Sequence, residues 1–250
     1  MSHGDAHNHL FRFAFARVEV AREHFRAHLL RPVVDSIDWG QLTHKASSFI
    51  DPGLRRSESD LLYRAPLHIG GSACLYLLFE HQRSLDYRMP FRLLQYMVRI
   101  WSRELARHGS PRRRPQLPLI VPMVLYNGTQ RWTVSTRFAD LFPQDELFSA
   151  LSEHVPDFRY IIHDLSQIPE EAIRGAALGR LIQLLLKWAD SDDFWERFPD
   201  WLETMRGILL QPELGMDAIE AMLRYIMSVA SGLPPESIRP GLRHFLTPTS

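Results

Sequence analysis

Three side chains of related chemistry stand in the stretch "SDLLYRAPLHIGGSACLYLLFEHQ": Asp60, Glu80 and Gln82. The runs on either side of Gly70-Gly71 are rich in β-forming residues, and a glycine pair between two such runs predicts a hairpin. Centring the turn between the glycines sets Asp60 opposite Glu80, His81 or Gln82. Opposed Cβ atoms in an antiparallel pair lie about 4.5–5.5 Å apart. Glu80 and Gln82, two apart on one strand, share a face. Carboxylates that close repel unless a positive charge lies between them. A divalent cation such as Mg²⁺ does this well, taking oxygen ligands and commonly using one or two carboxylates plus substrate phosphate. Held there, it could orient water and stabilise charge on a phosphodiester during attack. Two solvated acids at a strand end, paired with Arg64 or Arg83, would have the same spacing. Spacing alone does not separate these readings.

The elements that would position these residues follow from periodicity. Residues 11–30 read as an amphipathic helix stopped by Pro32. A short strand is expected at Ser47–Ile50, followed by the two strands of the hairpin. Phe91, Leu94, Met97, Val98 and Trp101 repeat at helical spacing, predicting a helix over 89–109 with Gly109 at its end. "LPLIVPMVLYNG" reads as a buried strand in which Pro118 and Pro122 point to an edge or a bulge. The order is therefore helix, three strands, helix, strand. From about residue 145 the chain turns mostly helical, with one short strand in "FRYIIHDLSQI". Three helices lie in "EEAIRGAALGRLIQLLLKWAD", "DDFWERFPDWLETMRGILL" and "MDAIEAMLRYIMSVAS", and a proline-rich tail follows.

"SDLLYRAPL", "YLLFEHQRSLDYRMPFRLLQYMVRIW" and "LPLIVPMVLYNG" together resemble the recombination-promoting nuclease/putative transposase family, part of the PD-(D/E)XK nuclease superfamily. The similarity runs over residues 7–142 and more loosely beyond. It implies a mixed α/β fold: a restriction-endonuclease-like α-β-β-β-α-β core over residues 1–145, a helical appendage over 146–235 and a tail over 236–250. It also implies a Mg²⁺- or Mn²⁺-dependent DNA endonuclease. In the family pattern one acid opens the second strand, matched by Asp60. An E-x-K or E-x-Q lies on the third, matched by Glu80 and Gln82. The implied catalytic residues are thus Asp60, Glu80 and Gln82, with Asp60 and Glu80 as metal ligands. Gln82 stands where many superfamily members have lysine; it can position a water but supplies no charge. Relatives commonly open with a histidine-aspartate pair, and here Asn8 takes the place of that acid.

Composition narrows the partners. The chain has 250 residues and 29 basic against 29 acidic side chains, a formal net charge of +0. Any contact with DNA must therefore use local basic patches such as Arg112-Arg113-Arg114, which could equally be a solvated loop. Nearly all the cations are arginines; the lysines are Lys45 and Lys187. A single cysteine, Cys74, excludes a disulfide within the chain and reads as an inert buried thiol. No run approaches the roughly 20 apolar residues of a membrane span, and no signal-peptide core is evident, so a cytoplasmic protein is expected. A homo-oligomer stays open. His3, His7 and His9 read as an unliganded flexible terminus, His81 as a packing residue facing away from Glu80, and the aromatics of "DDFWERFPDW" as core. Tyr126 and Asp86 have no evident chemical role. Two classes of function remain: a phosphodiester hydrolase acting on DNA, and a binding protein that kept the fold without the activity. An open cluster of Asp60, Glu80 and Gln82 would favour the first; splayed side chains, or acids capped by Arg64 or Arg83, would favour the second.

Overall fold

The computed structural model of the chain describes residues 3–45, 61–69, 74–108 and 117–229. Asp60, Gly70-Gly71, the strand expected at Ser47–Ile50, the arginine run 112–114 and the proline-rich tail lie outside the described residues. These residues form two compact units: one from His28 to Gln167, the other from the residues up to Ala27 together with those from Ile168 onward.

The first unit is built on a five-stranded sheet in the order β1-β2-β3-β4-β5. Its strands are β1 (Thr43–Lys45), β2 (Leu61–Pro66), β3 (Cys74–Gln82), β4 (Leu119–Tyr126) and β5 (Ile161–Asp164). β1, β2 and β3 pair antiparallel, whereas β3, β4 and β5 run parallel. Parallel neighbours need a long crossover, and the helix α4 (Met89–His108) supplies it between β3 and β4. The register of β2 on β3 is one residue tighter than a turn centred between the glycines predicts: Leu61 lies opposite Phe79, and Ala65 opposite Leu75.

The middle of β3 and the second half of β4 are buried, which is why "LYLLF" and "MVLY" are apolar runs. One face presents Leu62, Tyr76, Leu78, Val124 and Tyr126. It packs against Met89, Leu93, Tyr96 and Ile100 of α4, residues three or four apart and hence on one side of that helix. β4 is an interior strand, not the edge its prolines suggest. β5 covers only Met123–Tyr126, so the half holding Pro122 keeps one open side where a missing amide proton is tolerated.

The second unit contains α1 (His3–Phe15), α2 (Val18–His28), α6 (Ala177–Trp188), α7 (Phe194–Leu209) and α8 (Gly215–Val229); the short helices α3 (Arg31–Ser36) and α5 (Glu146–Leu151) belong to the first. α1 packs on α6 and α8, and α7 packs on both of these. The apolar stripe Leu181, Leu184, Leu185 is buried, and Phe194, Phe198 and Trp201 form an aromatic core as expected.

The single helix expected over 11–30 is instead α1 and α2, broken at Ala16-Arg17. The Arg17 guanidinium hydrogen-bonds the Phe13 carbonyl and lies over the Phe13 ring, 3.9 Å from its centre. The Arg17 amide meanwhile turns to the Ala14 carbonyl at 3.2 Å. A side chain thus takes the acceptor that the next helical turn would have used. Pro32 does not stop a helix; it sits in the first turn of α3, where its missing N–H costs nothing. The N-terminal histidines are likewise not a loose terminus. They lie on α1, where His7 is fully buried and shares a 2.9 Å hydrogen bond with the Tyr225 hydroxyl of α8.

Candidate functional site

The alternation of a strand and the packing of one helix together create the site. Glu80 and Gln82 end β3 on the face that carries Tyr76 and Leu78, the face under α4. The Gln82 Nε2 donates to Glu80 Oε1 at 2.6 Å. Arg92 lies three residues into α4, on the side that approaches the end of β3. Its Nη2 donates to the same Glu80 oxygen at 2.7 Å. Glu80 is completely buried, and the Arg92 side chain is 27% exposed.

Arg92 serves a second carboxylate. Its Nη1 donates to Asp86 Oδ2 at 2.8 Å. Asp86 in turn starts α4: its Oδ1 accepts the Arg88 amide at 2.9 Å and its carbonyl the Met89 amide at 2.9 Å. A planar guanidinium suits this task because its two terminal nitrogens diverge toward two acceptors. Removing one partner of a buried ion pair strands the other charge, at about 3–5 kcal/mol, so Arg92 and Glu80 depend on each other.

The opposite side of β3 is fixed by the chain after β4. His81 points away from Glu80, and its Nε2 lies 3.0 Å from Asn127 Oδ1 in a buried hydrogen bond. The Asn127 amide donates to the Gln82 carbonyl at 3.0 Å. At Gly128 an added Cβ would run into the Tyr126 hydroxyl and the Arg83 carbonyl. The sequence "LYNG" is therefore a clamp: Tyr126 ends β4, Asn127 hydrogen-bonds both faces of the β3 end, and only glycine fits where the chain passes Arg83.

Of the residues singled out from the sequence, Glu80 and Gln82 come together and Asp60 lies outside the described residues. Arg92 and Asp86, the other half of the cluster, were not among the expected catalytic or metal residues. Among the described residues no group of three or more His, Cys, Asp or Glu side chains gathers as a metal site, and no helix is long and apolar enough to cross a membrane.

A mixed sheet with two parallel crossovers, and a buried acid closing its third strand beside an amide and a guanidinium, defines a mixed α/β chain with a charged site at a strand end. The family model described as "Putative transposase, YhgA-like" matches residues 5–214, and the chain belongs to that family. It is similar to the recombination-promoting nuclease RpnD of Escherichia coli O157:H7, 28% identical over 88% of this chain and 80% of that protein. It is also similar to the recombination-promoting nuclease RpnA of Escherichia coli (strain K12), 29% identical over 74% of this chain and 61% of that protein. A third relative, the inactive recombination-promoting nuclease-like protein RpnE of the same strain, is 28% identical over 71% of this chain and 57% of its own length. The chain thus spans most of RpnD but less than two thirds of RpnA and RpnE. No solved structure matches it.

Proposed function

We propose that this chain is a Mg²⁺- or Mn²⁺-dependent DNA endonuclease with a PD-(D/E)XK core, hydrolysing phosphodiester bonds as its nuclease-named relatives suggest. The observation that carries this reading is the placement of Glu80. A carboxylate removed from water, at the end of the third strand and with a cation on one oxygen, is a position that demands positive charge. The order of three antiparallel strands, a crossover helix and a parallel strand supports it.

The residues present suit a hard divalent cation in kind, since Glu80 and Gln82 both offer oxygen donors. Asp60 would bring the second carboxylate: it precedes Leu61 by one peptide bond, and Leu61 is paired with Phe79, the neighbour of Glu80. Glu80 and Asp60 would hold the metal, which when bound supplies charge stabilisation to the phosphate under attack. The Gln82 amide orients water by hydrogen bonding and neither takes a proton at neutral pH nor adds charge. Arginines would meet the DNA backbone. Arg99 and Arg103 lie one turn apart on α4, which supports this.

One feature of the site favours the second class of function. An arginine does cap Glu80, and Asn8 stands where relatives commonly carry an acid. A binding protein without cleavage would look this way too, and one relative is named inactive. Incubation of the purified protein with supercoiled plasmid and Mg²⁺ or Mn²⁺ decides between them. Nicking that is lost in EDTA and in Asp60→Ala, and slowed in Gln82→Ala, is the expected result. DNA retention with no cleavage in either metal would establish the binding protein instead.

A further inference from the structure

We propose that Arg92 is a built-in competitor for the metal: a tethered cation that neutralises Glu80 before a divalent ion arrives and is drawn off it by Asp86. The proposal rests on the nuclease reading above and adds a regulatory element to that site. Three observations carry it. The guanidinium donates to Glu80 Oε1 at 2.7 Å, so it already neutralises the charge that a metal would neutralise. The same guanidinium donates to Asp86 Oδ2 at 2.8 Å, so leaving Glu80 would not leave it without a counterion. Glu80 is completely buried whereas Arg92 and Asp86 are each about a quarter exposed, so the Asp86 end of the guanidinium is the more open to water.

The physics follows from the charge count. A buried carboxylate with no cation nearby is costly, so a site waiting for metal needs a substitute charge. A metal that takes Oε1 must displace that substitute, whose grip then sets the metal concentration at which the site loads. Asp86 weakens that grip by sharing the fork. Asp86 also caps α4 through the Arg88 amide, which fixes its carboxylate at the mouth of the site. Arg92 is thus a positioning residue, and its effect is read in metal binding rather than in the chemical step alone.

The two partners predict effects of opposite sign. Metal binding is measured without DNA, by calorimetry and by the rise in unfolding temperature with added Mn²⁺ or Ca²⁺. Arg92→Met should lower the melting temperature of the metal-free protein and tighten Mn²⁺ binding by about tenfold or more, the scale of a lost charge-assisted hydrogen bond. Asp86→Asn retains an oxygen for the Arg88 amide but removes the carboxylate that shares the guanidinium with Glu80, so Mn²⁺ binding should weaken several-fold. Should Arg92→Met fail to fold, Asp86→Asn decides: weaker binding sustains the proposal, and unchanged or tighter binding overturns it. If wild type binds Mn²⁺ but Arg92→Met binds it equally or less well, Arg92 supports the metal site instead of competing with it, and the nuclease reading stands without this inference. If neither wild type nor any variant binds Mn²⁺ or Ca²⁺, both fall together.

Discussion

Glu80 and Asp164 are both acids at the ends of strands in one sheet, β3 and β5, on either side of β4. Their partners differ in kind. Asp164 takes neutral donors from the chain around it: the Trp132 amide on Oδ2 at 2.9 Å, and the Ser166 amide and hydroxyl on Oδ1 at 2.9 and 2.7 Å. The Ser166 bonds close a turn and the Trp132 bond ties in a distant segment, so Asp164 acts as architecture. Glu80 collects side chains that reach from elsewhere, a guanidinium from α4 and an amide from its own strand, on one buried oxygen. Such an arrangement fixes no turn. It places charge where a turn does not need it, as the proposed role of Glu80 in chemistry requires.

The comparison predicts a difference in activity, the largest effect expected. Glu80→Ala should abolish plasmid cleavage while DNA binding by the folded protein persists or strengthens slightly, because phosphate repulsion falls, and it should also cost stability because it strands Arg92. Asp164→Ala should leave the pattern of cleavage unchanged but cost about 1–3 kcal/mol in denaturant unfolding, since it strands backbone donors. Equal loss of activity in both variants, at unchanged stability, would erase the distinction.

The clamp lies between the two acids and should show a mixed effect of intermediate size. Gly128→Ala forces the Tyr126 hydroxyl or the Arg83 backbone to move. Overpacking of this kind costs about 1–3 kcal/mol, and here it also displaces the end of the strand that presents Glu80 and Gln82. Stability and cleavage should therefore fall together. A variant as stable and as active as wild type would show that "LYNG" does not position the site.

How far the sequence revealed this arrangement depends on the range of each interaction. Glu80 and Gln82 were readable because strand alternation is local: two residues apart means one face. The strands of the hairpin were readable for the same reason; α4 was readable as a helix, but the stripe that marked it is not its buried face, since Phe91 and Val98 are exposed. Arg92 was not, because nothing in "MPFRLLQYM" says which side of the helix meets the sheet until Met89, Leu93 and Tyr96 are seen packed on Leu62 and Leu78. The break between α1 and α2 hid in one side chain, Arg17, whose bond to a backbone carbonyl leaves no trace in hydropathy. The grouping of α1 with α6 and α8 joins residues more than 150 positions apart, including His7 and Tyr225, a distance no local pattern spans. Pro122 misled because strand interior and strand edge differ within β4 itself.

The smallest effect sharpens the comparison electrostatically. Burial holds the Tyr126 phenol above its ordinary pKa, and the negative charge of Asp164 raises it further. Asp164→Asn removes the charge and leaves the burial, so the phenol should titrate at lower pH than in wild type but still above the ordinary value of about 10. Absorbance of phenolate near 295 nm, compared with Tyr126→Phe as a blank, reads the shift directly. The linkage has a definite sign. Below about pH 10 folded and unfolded chains both keep this proton, and Tyr126 adds nothing to the pH dependence. Above it the unfolded chain releases the proton while the fold retains it, so stability falls as pH rises toward the folded value. Because Asp164→Asn narrows that gap, the Tyr126 contribution to alkaline destabilisation should be shallower in the variant, even though the variant starts out less stable at neutral pH. An unmoved phenol titration would mean that Asp164 is neutralised as Glu80 is, and the contrast between the two acids would then lie in their geometry alone.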